Sequence, residues 1–496
     1  MTDIESPVAR PDLATAWGNL IGGAWIDCDT TMATVDPATG FEIATFADSD
    51  ASTVASAVAA AQTAFARWRR SSAGARSAAL TELARVTEAH AAHLAMVEAW
   101  DGGKPVRQAA TWDLNLAVDV LRYYAAVART ALGESAEPSS GVLQVTARRP
   151  AGPVALVIPY NATVLMTAMK VAPALAAGCT VVLKPSDVAP LPALELARLW
   201  VELLPPGVLN VVTGGAATGA ALVSHPAIRR ISFTGSPSTG RRVLETAAGN
   251  LTKVMVELGG KSPNIVFDDA DLDAVVEGAL VGFVPNQAQM CAAGTRLMVH
   301  EDVADELIAR LAARIAQLRM GHPLRPSTDV GPLATAPGPA RGRRAVEAAL
   351  ASGATEAFRL DVPADLADGG GFFAPVVGLD HVTGQMSVAR DELFAPVLSI
   401  MRWRDVDDLV DTANAVPYGL AMGVWSADVG RALDVADRIE AGVVWVNTYG
   451  YLPSGVPFGG TKESGFGREN SWHTIDDFSD LRTVLVRHRG RGVALY

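Results

Sequence analysis

The chain has 496 residues, a formal net charge of −12 at pH 7, 49% apolar residues and three cysteines. That length can bury a large core in two or three lobes. The acidic balance, with no sustained Lys/Arg stripe, argues against nucleic acid or an anionic membrane surface as a partner.

The opening "MTDIESPVARPDLATAW" is acidic and has no signal-peptide core, and no apolar run approaches the length that spans a bilayer. Cys28, Cys179 and Cys291 are widely spaced and odd in number, so reduced thiols in the cytoplasm are expected rather than a disulfide framework. Residues 19 to 48 read as short strands and turns around Gly and Asp-Pro. From Ser52 to about Tyr124 the apolar spacing is helical, with "EAHAAHL" inside a run that continues to a Gly-Gly stop. His90 and His93 share a helical face there, but no further ligand accompanies them, so no metal site is expected. "SAEPSSGVLQVTARRPAG" reads as a polar turn followed by a protruding strand.

The next 110 residues or so alternate apolar strands ("GPVALVIPYN", "TVVLKPSD", "GVLNVVTG", "IRRISFTG", "TKVMVELGG") with amphipathic helices. This pattern predicts an α/β fold with a doubly wound parallel sheet, which binds ligands at the carboxyl ends of its strands. Cys179, just before one of these strands, reads as a small buried residue. A second alternation runs from "TRLMVH" through "PVLSIMRW" to "AGVVWVNTY". The chain closes on a strand in "DDFSDLRTVLVRHRG", expected to pair with another region or subunit because terminal strands need docking.

Polar groups cluster at predicted strand ends. Asn161 follows one strand, with Lys170 on the next helix; Lys184 and Asp187 follow another. Gly235 and Ser236 sit at a strand-to-helix turn whose N–H groups can hold a phosphate, although no G-x-G-x-x-G fingerprint is present. Glu257 ends a strand beside two glycines. Alone it reads as a cap or a solvated edge. Joined to a thiol in the polar run "FVPNQAQMCAAGTR", an amide donor and a phosphate turn, it reads as a base. A cysteine can attack an aldehyde, an amide can hold the oxyanion, a nicotinamide can take the hydride, and a carboxylate can activate water to release the thioester.

"VELGGKSPNIV", "NQAQMCAAGTR", "ELFAPVL", "YGLAMGVW", "GVVWVNTY" and "PFGGTKESGFGRE", in that order, resemble the aldehyde dehydrogenase superfamily over nearly the whole chain. The resemblance implies a doubly wound cofactor domain (1–124 and 148–257), an α/β catalytic domain (258–463) and a small β oligomerisation element (125–147 and 464–496), with a homodimer or homotetramer. It implies Cys291 as nucleophile, Asn161 with the Cys291 N–H as oxyanion site, and Glu257 as base with Lys170 in a proton relay. Lys184 and Asp187 match the residues that hold the adenosine ribose, Ser236 a pyrophosphate contact, and Glu392 and Phe394 the nicotinamide half. Ser186, Gly235, Leu258 and Gly259 complete the implied cofactor set. The alternatives are a CoA-acylating relative, against which Glu257 argues, and a catalytically idle protein on the same fold.

Three departures stand out. Ala288 and Ala395 occupy positions where the family usually has Gly. Tyr160, Ala162 and Thr163 replace the commoner Trp-Asn-Phe-Pro surroundings of Asn161, and Ala162 is expected to widen the substrate tunnel. The tunnel segments "NATVLMTAM" and "NTYGYLPSGVPFGG" contain no Arg or Lys, so a neutral, apolar aldehyde is expected, aromatic or medium-chain, beside Ala162 and Leu452. Asp187 would repel a 2′-phosphate, so NAD is expected over NADP.

Overall fold

The computed structural model describes residues 9–130 and 133–490. The first eight residues of the acidic opening, residues 131–132 of the expected β element and its last six residues lie outside them. The centre of the first lobe is a run of parallel strands in the order Lys253–Glu257, Arg230–Thr234, Pro153–Val157, Thr180–Lys184 and Leu209–Val211. They are almost entirely buried, as expected for strands covered by helices on both faces. The chain moves outward from Pro153–Val157 in one direction, then returns to its other side with Arg230–Thr234. That reversal opens a crevice at the carboxyl ends of these two strands. Antiparallel strands, Gly465–Phe466 at one edge and Asn19–Ile21 with Ala24–Ile26 at the other, extend the sheet to eight.

Two carboxylates on the helix Ala91–Gly102 cap helices that lack caps of their own. The helix Thr163–Ala177 begins after Ala162, which offers no side-chain acceptor. Glu98 takes this role, accepting from the Thr163 and Val164 N–H groups at 2.8 and 3.0 Å. Asp101 accepts from the Leu191 N–H at 2.8 Å in the same way. Asn161 is thereby held two residues before a fixed helix start.

The second lobe is a seven-stranded sheet in the order Thr355–Leu360, Val376–Asp380, Val397–Trp403, Arg296–His300, Pro263–Val266, Ala421–Trp425 and Val443–Val446, antiparallel only at its first pair. Away from both lobes, Ser479–Arg487 pairs antiparallel along its whole length with Val142–Pro150, which pairs with Glu134–Ser139. Leu143, Val145, Leu481, Val484, Leu485 and Val486 are exposed on this small sheet.

Local readings needed correction in three places. The helical run through "EAHAAHL" is not continuous: His90 leaves helical geometry and ends one helix as it starts the next. The polar stretch before Val142 is a strand rather than a turn, because Glu134–Ser139 finds a partner in Val142–Pro150. The helix Asn115–Thr130 runs through residues 125–130, and Gly465–Phe466 pairs with the first lobe's sheet. The small sheet is therefore narrower than the segments 125–147 and 464–496. The readings of Cys179 and the terminal strand agree with the structure: Cys179 is fully buried, and its thiol donates to the Phe478 carbonyl at 3.1 Å, just before that strand.

Tyr124 fastens the same terminal segment, with its hydroxyl 3.0 Å from the Ser471 carbonyl and 3.0 Å from the Thr474 hydroxyl. Tyr124→Phe leaves these buried acceptors short of a donor and should lower the free energy of unfolding by about 1–2 kcal/mol. Equilibrium denaturation in urea checks this; an unchanged midpoint would show that the anchor contributes nothing.

Candidate active site

A cavity of about 410 Å³ lies between the lobes, at the crevice created by the strand reversal. Asn161, Gly235, Ser236, Glu257, Leu258, Gly259, Cys291, Glu392 and Phe394, distant in sequence, all line it. Lys170, Lys184, Ser186 and Asp187 do not.

Cys291 is carried by a loop with unusual backbone geometry. Asn286, Gln287 and Ala288 have φ of 48°, 55° and 58°, three consecutive left-handed residues without a glycine. Such a conformation costs about 1–2 kcal/mol per residue, so surrounding contacts must hold it. The Asn286 N–H donates to Gln108 Oε1 at 2.9 Å. Gln287 Nε2 donates to the carbonyls of Gly103 and Pro332 at 3.2 and 2.9 Å. Gln289 accepts from the Ala334 N–H at 3.1 Å, and the Tyr449 hydroxyl donates to the Ala292 carbonyl at 2.9 Å. Asn161 Nδ2 donates to the Gln289 carbonyl at 2.7 Å, while Asn286 Nδ2 donates to the Asn161 carbonyl at 2.8 Å. The amide and the thiol loop are thus tied to each other directly.

Burial, then the carboxylates of Glu392 and Glu257, push the Cys291 thiol up to about 12, so it is neutral at pH 7. Glu257 is fully enclosed, with no side-chain donor on its oxygens and only the Gly460 backbone N–H beside them. Burial and the neighbouring Glu469 carboxylate hold it well above the usual carboxylate range, opposed by Lys170 and Arg468. Gly459 lets it sit close to the backbone, since a Cβ at Gly459 would come within 2.6 Å of Glu257 Oε1.

Lys170 is not adjacent to the cavity. It is buried behind it, with Nζ 2.5 Å from Glu469 Oε1 and 2.7 Å from Ser232 Oγ. Glu469, which does line the cavity, was missed in the sequence although it ends the quoted "PFGGTKESGFGRE". Its N–H and carbonyl pair with Phe458, a contact that only the folded chain creates.

At the crevice, Glu392 accepts from the Gly260 N–H at 3.1 Å, and a Cβ on Gly259 would overlap its carboxylate. Burial raises Glu392 to about 7. Phe394 meets Tyr160 edge-on at 6.2 Å between ring centres. Ser236 caps the helix Pro237–Ala248 and is exposed at its N-terminus, and the Thr234 hydroxyl beside it is buried without a partner. Lys184 is buried with Nζ donating to the Pro185 carbonyl at 3.1 Å, while Asp187 is exposed. Burial lowers the Lys184 pKa.

The substrate side is apolar: Ala162, Met166, Met169, Met290, Leu452 and Phe458 form much of its wall. Two cations not present in the tunnel segments nevertheless reach the cavity, Lys104 and Arg341. Lys104 is paired with Asp113 and lies 3.8 Å from Glu98, so its charge is already met. Arg341 donates from Nε to the Leu393 carbonyl at 2.7 Å, near the crevice. The π-helical turn Ala109–Leu114 turns both Trp112 and Asp113 towards the cavity, a local feature that periodicity did not reveal.

A family model described as "Aldehyde dehydrogenase family" matches residues 25–484. An aldehyde dehydrogenase of Enchytraeus buchholzi is 40% identical over 92% of this chain and 92% of its own length. Betaine aldehyde dehydrogenase 2 of Rhizobium meliloti (strain 1021) is 38% identical over 97% and 99%. The solved NAD+ complex of an aldehyde dehydrogenase from Bacillus cereus superposes with a TM-score of 0.93 at 32% identity, covering 97% of this chain and 100% of that one. The chain therefore belongs to the aldehyde dehydrogenase family. It is an oxidoreductase acting on aldehydes, with the mixed α/β architecture of that family. Among the described residues, no helix is long and apolar enough to cross a membrane.

Ala288, at φ 58°, occupies a backbone position that glycine adopts without strain. Ala288→Gly should raise the free energy of unfolding by up to about 1 kcal/mol. Calorimetric melting checks this, and a clear fall in stability would mean that the buried Ala288 methyl outweighs the strain.

Proposed function

We propose that this enzyme oxidises a neutral, apolar aldehyde to its carboxylic acid with NAD, through a Cys291 thioester hydrolysed by Glu257-activated water. The observation that carries the reading is Glu257 itself. It is a buried carboxyl with no side-chain donor on its oxygens, in the same cavity as Cys291 and Asn161. Its presence also favours release to water over release to CoA.

The residues at the crevice fit a dinucleotide. Ser236 and the helix N-terminus it caps suit the pyrophosphate, the orphaned Thr234 hydroxyl offers an unused donor, and Glu392 and Phe394 flank the nicotinamide end. Lys184, Ser186 and Asp187 would hold the adenosine ribose, and Gly235, Leu258 and Gly259 shape the cleft between. When bound, NAD supplies the hydride acceptor.

The Cys291 sulfur adds to the carbonyl carbon, and the aldehyde oxygen becomes an anion. Asn161 spends one N–H on the Gln289 carbonyl and keeps its second for that oxygen, beside the Cys291 N–H. Because the thiol is neutral at rest, its proton must leave on attack, to water in the cavity, which keeps Glu257 free for the later step. After oxidation, Glu257 takes a proton from the water that attacks the thioester. Glu469 and Lys170 then serve as the onward path for that proton, with Ser232 at its buried end.

The exposed apolar side chains of the sheet 134–150 and 479–487 support assembly into a homodimer or homotetramer. The same reading divides the chain into the cofactor, catalytic and oligomerisation units that the family resemblance implies. The three free cysteines support a cytoplasmic location.

Two experiments test this. Cys291→Ala should abolish turnover while NAD still binds. In rapid mixing, Glu257→Gln should retain a burst of reduced cofactor, while steady turnover falls roughly a hundredfold or more. Simultaneous loss of burst and steady rate would assign Glu257 to thiol activation alone. The cofactor preference forms a separate prediction. NAD should exceed NADP in kcat/KM by at least about tenfold, equivalent to about 1.4 kcal/mol, and Asp187→Ser should erode it. Equal use of NADP by the unmodified protein would remove Asp187 from the ribose site.

A further inference from the structure

Beyond the catalytic cavity lies a second chamber of about 510 Å³. The two share Trp112, Leu116, Tyr449, Gly450 and Leu452 in their walls, so they adjoin at these residues. The inner chamber is apolar beside Cys291. The outer one is different: Thr111, Asn115 and Asp119 lie along one helical face, one turn apart.

Hydrogen bonding within the protein determines what these three groups can offer. The Thr111 hydroxyl donates to the Arg107 carbonyl at 2.7 Å. Asn115 Nδ2 donates to the Thr111 carbonyl at 2.9 Å, which leaves Asn115 Oδ1 free to accept. Asp119 is exposed and forms no ion pair or hydrogen bond among the described residues. The Thr111 hydroxyl proton and one Asn115 N–H are engaged, Asp119 adds an unpaired charge, and no Lys or Arg lines the chamber. A carboxylate or phosphate placed there would meet the Asp119 charge with no cation to offset it. A hydrogen-bond donor would find partners.

We propose that the substrate is an elongated aldehyde whose apolar chain passes the Trp112–Leu116–Tyr449 junction and whose far end carries a hydrogen-bond donor and no anion, an ω-hydroxy aldehyde being the simplest case. This rests on the aldehyde-oxidising reading above and extends it from the reacting group to the whole substrate. The donor end is held by Asp119 and Asn115 oxygens. The junction selects a chain narrow enough to thread between Trp112 and Leu452.

The test compares three substrates of equal length: decanal, ω-hydroxydecanal and the corresponding ω-oxo acid. Propanal, which is too short to cross the junction, reports on the catalytic reading alone. The unmodified enzyme should give ω-hydroxydecanal the highest kcat/KM and the ω-oxo acid the lowest, at least about tenfold apart. Asp119→Lys should narrow or reverse that ratio. Leu116→Trp, which narrows the junction, should lower kcat/KM for decanal relative to propanal by about tenfold. Oxidation of propanal with no discrimination among the ten-carbon substrates, and none gained or lost in the variants, would overturn this inference and leave the catalytic reading intact. Failure to oxidise any of the four would remove the reading beneath it.

Discussion

Asn286, Gln287 and Ala288 turn the chain left-handed immediately before Cys291, and the catalytic geometry depends on that turn being held. It is held from several directions at once. Gln108 and Gly103 reach it from the helical segment of the first lobe, Pro332 and Ala334 from the second, and Asn161 from the strand end at the crevice. Strain of this kind persists only when its surroundings over-determine it. Here the restraints and the catalytic groups coincide, because the Asn161 amide that would hold an oxyanion also holds the thiol loop.

Electrostatics imposes the second constraint. Glu257, Glu392 and Glu469 face one small volume, and burial raises the first two. Burial first, and then these carboxylates, keep the thiol protonated at rest. Lys170, buried with Glu469 and Ser232, offsets part of this repulsion from behind the cavity. Neutrality at rest ties attack by this thiol to the loss of its proton. It also protects the thiol from adventitious oxidation, which proceeds through the thiolate.

The sequence by itself determined the alternating strand–helix order, and with it the doubly wound sheet and the strand ends that carry Asn161, Gly235 and Glu257. Period and turn chemistry are local properties, so a linear pattern records them. The motifs around Cys291 and Glu392 were legible for the same reason, each being a short continuous stretch. Tertiary structure alone decided which charges meet. Glu469 reaches the cavity through its pairing with Phe458, and Trp112 and Asp113 through a π-turn that periodicity does not encode. That Lys170 lies behind the cavity, against Glu469, was not legible, because the two are 299 residues apart in sequence. The widths of the tunnel and its outer chamber depend on helix packing across the lobes. Distances between remote segments are set by the whole core, and no local stretch of residues contains them.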